Sequence, residues 1–357
     1  MRTLIFVTLY LVVSSHIFSQ HNNSDSTEFY ICYDYAYKLR NTNVDSAFFW
    51  INKALEISQL TANSEWRAKA LNLKGILYYK KNDYYASIEN LNRALSLTKD
   101  KTLKSKIYIN LGNTLSDLNY SYSAIKYYEE AVRLFNELQD YRFLVRALMN
   151  LATEEFNIKQ INSARNHLKL ALYYAKENDL LEEEAMCLNN LSAIFIKTGQ
   201  VDSASRYIYQ SFNNYEQLEN YYGLADAYLT AIELHLEKKE LSYAKALMDL
   251  ADSIIDKLRY LEGKKLLTSE KVNYYLLQKD VDNAQKYFNI YIRLEDSLNR
   301  AKNTSLSITE NVSSQSNTTH KTNTNNTIIS WVQLILISLC SSLIAILLIK
   351  NYRHEQE

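Results

Sequence analysis

A small residue returns at a near-constant interval along most of the chain: Ala47, Ser87, Ala124, Ala164, Ala204, Ala244 and Ala284. The steps are 40, 37, 40, 40, 40 and 40 residues. Seven positions after each comes a second residue, again small in six cases: Ala54, Ala94, Ala131, Ala171, Ser211 and Ala251, then Tyr291. Twelve positions before the second to fifth of the first set comes a third small residue: Gly75, Gly112, Ala152 and Ser192. Side chains this small let two helix backbones approach closely. Fixed offsets inside a fixed period make each period one helical hairpin and stack hairpin on hairpin.

Composition supports an all-helical reading. The 357 residues include no proline and five glycines, so no helix is interrupted by a ring lacking an N–H. Turns are expected at Asn, Asp, Ser and the few Gly residues. An apolar share of 47% is enough to build a core. Forty basic side chains balance forty acidic ones, which gives no electrostatic reason to expect nucleic acid as a partner.

The stretch 107–134 shows one unit: apolar or aromatic residues at Leu111, Leu115, Leu118, Ile125, Tyr128 and Val132 keep helical spacing on two inner faces. Asn119–Ser121 breaks the pattern and predicts the turn. In another unit Gly199 suits the position just past a helix, and Asp202 suits the cap of the next. Leu111-Gly112, Ala124, Tyr128 and Ala131 resemble the Leu-Gly, Ala, aromatic and Ala positions of the tetratricopeptide repeat family. Gly75, Tyr78, Asp83, Tyr84, Ser87 and Ala94 do so in the unit before, and Leu151-Ala152, Ala164, Leu168 and Ala171 in the unit after. The resemblance implies a right-handed α-α superhelix of about seven hairpins over residues 20–299, with the first helix of each hairpin (helix A) lining a concave groove. That family's usual unit is 34 residues. The extra residues here fall after the second small site, so helix B or the turn after it is longer. Tyr35, Ile232 and Val272 replace the small helix-A residue in units one, six and seven, which predicts atypical ends and a looser last third. Tyr291 is expected to cover the end of the stack.

The chain ends differ from the repeats. Residues 1–19 have Arg2, an apolar run and a Ser-rich close, the pattern of a secretory signal peptide. Residues 300–327 are rich in Asn, Thr and Ser and read as a spacer. Residues 328–349 carry no charge and, at ~1.5 Å per residue, match a membrane span. Lys350 and Arg353 then put the tail, 350–357, in the cytoplasm, so the expectation is a single-pass protein of a bacterial cytoplasmic membrane with its repeats outside. Ser330, Gln333, Ser338, Ser341 and Ser342 within the span either pair two copies into a homodimer or are tolerated singly. Cys32 and Cys187, four repeats apart, are expected as small buried residues rather than a bridge.

No phosphate-binding glycine loop, H-E-x-x-H or C-x-x-C run is present, so neither cofactor nor metal is expected and the chain reads as non-enzymatic. His167 and His235 read as packed side chains, and Glu154, Glu155 and Glu182–Glu184 as helix-end or solvated charges. The sharpest candidate site is a row of amides. Asn110, Asn150 and Asn190 recur 40 apart, two residues before the small helix-A position, with Asn113 and Asn189 nearby. An amide has two donors and two acceptors, which suits the backbone of an extended peptide. These residues either meet such a ligand or bond across neighbouring repeats. Lys69, Lys106 and Arg146 predict a basic N-terminal half of the groove, and Asp226, Glu233, Glu237 and Glu270 an acidic C-terminal half. Most of the 30 tyrosines are expected in packing roles.

The order of leader, repeats and single span also resembles the sensor half of bacterial membrane regulators, in which a histidine kinase or a LuxR-type DNA-binding domain follows the span. Three arrangements are open: part of a longer sensor, a sensor with a separate output protein, or an envelope scaffold.

Overall fold

The computed structural model describes residues 25–298, all of it helix and short connections. Fourteen helices follow one another: α1 (25–39), α2 (Val44–Leu60), α3 (Ser64–Lys80), α4 (Tyr84–Leu97), α5 (Lys101–Asp117), α6 (Ser121–Glu137), α7 (Tyr141–Asn157), α8 (Ile161–Glu177), α9 (Leu181–Lys197), α10 (Val201–Gln217), α11 (Tyr221–Glu237), α12 (Leu241–Leu258), α13 (Leu261–Leu277) and α14 (281–298). They form the seven expected hairpins, in which odd-numbered helices are A and even-numbered helices are B. From α2 to α13 every helix has 17 residues except α4, with 14, and α12, with 18. The three residues missing from α4 account for the single 37-residue step. Connections stay at three residues or fewer after α2, so the extra length of the period lies in helix rather than turn.

The connections are made differently from expectation. Residues at positive φ recur in eleven of them: Ala62, Asn82, Asn119, Gln139, Lys159, Asp179, Gly199, Glu219, Lys239, Arg259 and Lys279. Most are not turn formers. In each, the next N–H reaches back to a carbonyl five residues earlier, as Asn63 does to Ser58 and Gln160 to Glu155. This bond, a helix-ending motif, satisfies a carbonyl that would otherwise be orphaned. It holds non-glycine residues in a conformation costing roughly 1–2 kcal/mol. The residue after the left-handed one is often the next N-cap: Asn63, Asp83, Asp140 and Asn220 accept a backbone N–H from the helix they precede. Gly199 occupies the expected position at φ +73. Asp202 does not cap; it lies in the first turn of α10, behind Gln200, where its charge suits the positive helix end.

Packing follows the small residues. All of the helix-B set from Ala47 to Ala251, serines included, is fully buried, and Ala284 nearly so. Its serines keep their hydroxyls satisfied: Ser87 meets the Thr114 hydroxyl at 3.3 Å and Ser211 donates to the Ala185 carbonyl at 2.9 Å, while on helix A Ser192 donates to the Ala204 carbonyl at 3.0 Å. A Cβ on Gly75 would come within 2.7 Å of Leu91, and one on Gly112 within 2.4 Å of the Tyr128 ring. Among α2–α13, neighbouring helices A also approach one another (α3 and α5, α7 and α9, α9 and α11, α11 and α13), while neighbouring helices B do not. The layer that is closer to itself lies on the inside of the curve, so helices A line the concave face of the superhelix. Cys32 and Cys187 are buried free thiols.

The last hairpin is more open. In the first six helices B, the residue four after the first small one is Ile51, Leu91, Tyr128, Leu168, Ile208 or Met248, each almost wholly buried. Its counterpart Phe288 is 47% exposed. Tyr291 stacks on it at 6.5 Å and leaves it partly uncovered.

One expectation is corrected. No helix among the described residues is long and apolar enough to cross a membrane, since each gives one face to the core and the other to solvent. The single-pass membrane placement, with repeats outside and tail inside, is therefore not supported. The signal peptide (1–19), spacer (300–327), span (328–349) with its membrane and homodimer partners, and tail (350–357) all lie outside the described residues.

Two glycine substitutions separate the physical causes. Gly199→Ala, with open space around the new Cβ, is expected to cost about 1 kcal/mol through φ alone. Gly112→Ala is expected to cost about 1–3 kcal/mol, because the Tyr128 ring must move. Urea denaturation of the two variants checks the order.

Candidate functional site

The concave face is built from matching positions on helices A. Asn110 and Asn150 each stand two residues before the small helix-A position, on α5 and α7, and both are half-buried. They do not bond each other. Asn110 Nδ2 donates to Asn72 Oδ1 of α3 at 2.9 Å, and Asn150 Nδ2 donates to Asn113 Oδ1 of α5 at 3.1 Å. Asn113 Oδ1 also accepts the Tyr128 hydroxyl at 2.8 Å. The amides thus form two separate pairs, one joining α3 to α5 and the other α5 to α7. On α9, Asn190 is half-buried at the same register, and Asn189 turns its Oδ1 into the interior without a donor.

Two adjoining clefts open on these amides. One, of about 170 Å3, is lined by Tyr79, Asn113, Ser116, Asp117, Tyr128, Asn150, Thr153 and Glu154. The other, of about 200 Å3, includes Ile76, Lys80, Asn110 and Thr114 and shares Tyr79 and Asn113 with the first. Asn110, Asn113 and Asn150 therefore border adjoining space, with Asn110 held by Asn72 and Asn150 by Asn113. No group of three or more His, Cys, Asp or Glu side chains suited to a metal occurs among the described residues.

The charges are distributed less simply than a basic half and an acidic half. Lys69 donates to the Tyr30 hydroxyl at 3.3 Å, and Lys106 lies over the Phe143 ring at 5.4 Å. Arg146 gives two hydrogen bonds to Glu183 Oε1, at 2.8 and 3.0 Å. The basic side chains of the first half thus have partners of their own, and the clefts beside them carry two carboxylates, Asp117 and Glu154. Burial holds the Tyr79 and Tyr128 hydroxyls well above the usual phenol range. Asp117 adds to this at Tyr79, and Glu154, with Asp117 behind it, at Tyr128. In the C-terminal half Lys197 pairs with Glu233. Burial pushes the Glu270 carboxyl up, and Glu233 and Glu237 add to the shift.

Sequence reasoning took Glu154, Glu155 and Glu183 for helix-end or solvated charges, yet all three are buried. Glu155 meets His167 Nδ1 at 2.8 Å, and Glu183 meets Arg146. The other packed histidine, His235, meets Glu240 at 2.6 Å. Position in the repeat was the missed signal. Where α7 has Glu154, the other helices A from α3 to α13 have Leu77, Thr114, Ile194, Leu234 and Tyr274, every one buried, and only the terminal α1 has an exposed residue, Tyr37.

Comparison with known proteins agrees with this architecture. Residues 68–101 and 105–137 match the tetratricopeptide repeat model. No curated protein matches the sequence. Among solved structures, the apo form of RapI is 16% identical, covering 76% of this chain and 99% of its own, with a TM-score of 0.65. Aspartyl phosphate phosphatase F from Bacillus subtilis is 14% identical over 78% of this chain and 72% of its own, TM-score 0.63. The Rap conjugation gene regulator of the plasmid pLS20, in complex with the Phr* peptide, is 13% identical over 79% and 77%, TM-score 0.57. At these identities the likeness is one of fold. The matched stretches fall on α3–α4 and α5–α6, two of the seven hairpins.

The Arg146–Glu183 pair gives a direct test of how the face is held. Glu183 is fully buried, so Arg146→Ala strips its close cation and is expected to cost about 2 kcal/mol in chemical denaturation. Adding Glu183→Leu should recover most of the loss.

Proposed function

We propose that the chain is a non-enzymatic module that binds an extended peptide, or an extended segment of a protein, along the helix-A face. Asn110, Asn113 and Asn150 meet the ligand backbone, and Asn189 and Asn190 continue the row toward α9. Lys106 and Arg146 border the path. The observation that carries this reading is the pair of adjoining clefts that open on the paired amides. Each amide has spare donors or acceptors after its cross-repeat bond, and extended peptides present unpaired N–H and C=O groups at regular intervals. A protein of similar fold, the Rap conjugation gene regulator of plasmid pLS20, was solved in complex with a peptide, Phr*, which supports this reading. The role that follows is sensory or scaffolding, as the receiving part of a signalling system. The extended concave surface of stacked repeats suits recognition of an extended ligand.

The test uses the full chain against a randomised peptide library. The wild type should enrich defined sequences. The triple variant Asn110→Ala, Asn150→Ala, Asn190→Ala should bind those same peptides about tenfold or more weakly. Losing the two cross-repeat bonds should cost about 1 kcal/mol each in stability, so the melting midpoint falls only modestly. Unchanged affinity in a folded triple variant would sink the assignment and leave the amides as spacers between repeats.

A further inference from the structure

The three buried glutamates of the concave layer are not equivalent. Glu183 has a guanidinium at 2.8 Å, and Glu155 has an imidazole at 2.8 Å. Glu154, only 3% exposed, has neither. Its Oε1 accepts the Ser116 hydroxyl at 2.6 Å and the Asn157 amide at 3.4 Å. Its Oε2 is buried without any partner. Glu183 Oε2 is also unbonded, but the charge of that residue is met by Arg146. A buried carboxylate without a cation is costly, and natural folds normally pair such groups.

The unpaired oxygen belongs to a residue that lines the first cleft. Asp117 lines it too, and its charge adds to the burial that raises the Tyr79 and Tyr84 hydroxyls above the usual phenol range. The cleft therefore has two carboxylates, two phenols held protonated, a hydroxyl from Ser116 and one from Thr153, and no basic side chain among its lining residues. With only two carboxylates and no imidazole or thiol, this is a poor set for a metal. A planar guanidinium or an ammonium fits it well, because such groups bring several donors and one positive charge to acceptors already in place. Lys80 borders the adjoining cleft, so a ligand's positive end is directed to Glu154 and not to the neighbouring space.

We infer that the cleft between α3, α5 and α7 is a subsite for the basic side chain, arginine or lysine, of a bound peptide, with Glu154 as the charge partner and Asp117 as the second acceptor. This rests on the peptide-binding reading of the same face and specifies the class of peptide it takes.

The same randomised library distinguishes the two ideas. Against the wild-type full chain, selected peptides should carry Arg or Lys at one fixed position. Glu154→Gln keeps the shape and the Ser116 contact and removes the charge. It should lose that single preference while retaining preferences elsewhere, and bind a selected basic peptide about tenfold or more weakly. Its melting midpoint should be unchanged or higher, since an uncompensated buried charge has gone. Asp117→Asn should weaken the same preference to a lesser degree. Selected peptides with no basic residue, or the same basic preference in Glu154→Gln, would overturn the subsite while leaving a peptide-binding face intact. Failure of the wild type to select any peptide would overturn both.

Discussion

The close approach of helix A to helix B at each small residue is the constraint on which the rest depends. At Gly112 the Tyr128 ring occupies the space a Cβ would need, and at Gly75 Leu91 does the same. Such contact works only if the two helices are held at one height. The short connections do this, because each ends one helix and starts the next within three residues. Length and contact are therefore coupled. A longer turn would let the hairpin slide and would bring a large side chain opposite the small one. This explains why the left-handed residue is kept at Lys159, Lys239 and Lys279 despite its cost. The backbone bond that follows it fixes the angle, and the burial of the next contact outweighs roughly 1 kcal/mol of strain.

A second consequence concerns how repeats meet each other. The sequence repeats every 40 residues, but polar contacts between neighbouring helices A recur at shorter separations. Arg146 meets Glu183 and Asn150 meets Asn113 across 37 residues, and Ser116 meets Glu154 across 38. Across α5, α7 and α9 each helix A is thus displaced by two or three residues along its neighbour, about 3–4.5 Å at the helical rise. That slide is part of the superhelix, and it decides which side chains share a cleft. Asn113 is flanked by Asn150 because of it, and Glu154 is brought beside Ser116 rather than beside its own counterpart Thr114.

The difference between the two spacings also marks what could be seen in the sequence. Small residues are legible because their role, closeness within a hairpin, depends on local offsets of seven and twelve. Seven hairpins follow from those offsets, and the groove side of helix A, with Asn110 and Asn150 on it, is what the tetratricopeptide resemblance implies. The bonding partners of the asparagines follow from neither, because they depend on the slide between repeats, which leaves no trace in a one-dimensional period. The left-handed positions were equally hidden. Gly199 announces itself, whereas Lys159 and Gln139 hold the same conformation beside a local backbone bond that any residue type can make. The basic half of the groove was misjudged because charge was counted without asking what each cation touches: Lys106 faces an aromatic ring and Arg146 a buried carboxylate.

Glu154 shows how a repeat architecture can keep such a residue. Stability in a stack is close to a sum of local hairpin terms and nearest-neighbour interfaces. A costly group in one hairpin is offset by its own neighbours and need not be balanced across the whole molecule. Around Glu154 those neighbours are well formed. Ala152, Ala164 and Leu168 are buried in one cluster at the α7–α8 contact, and Leu151 is buried with Ala124 and Tyr128 against α6. Five of the six comparable helices A put an uncharged side chain at this position. The carboxylate is therefore a local departure from the rule that builds the stack, placed where a cleft reaches the interior. In a scaffold whose packing repeats, the residue that breaks the repeat without breaking the fold is where chemistry specific to this chain is to be sought.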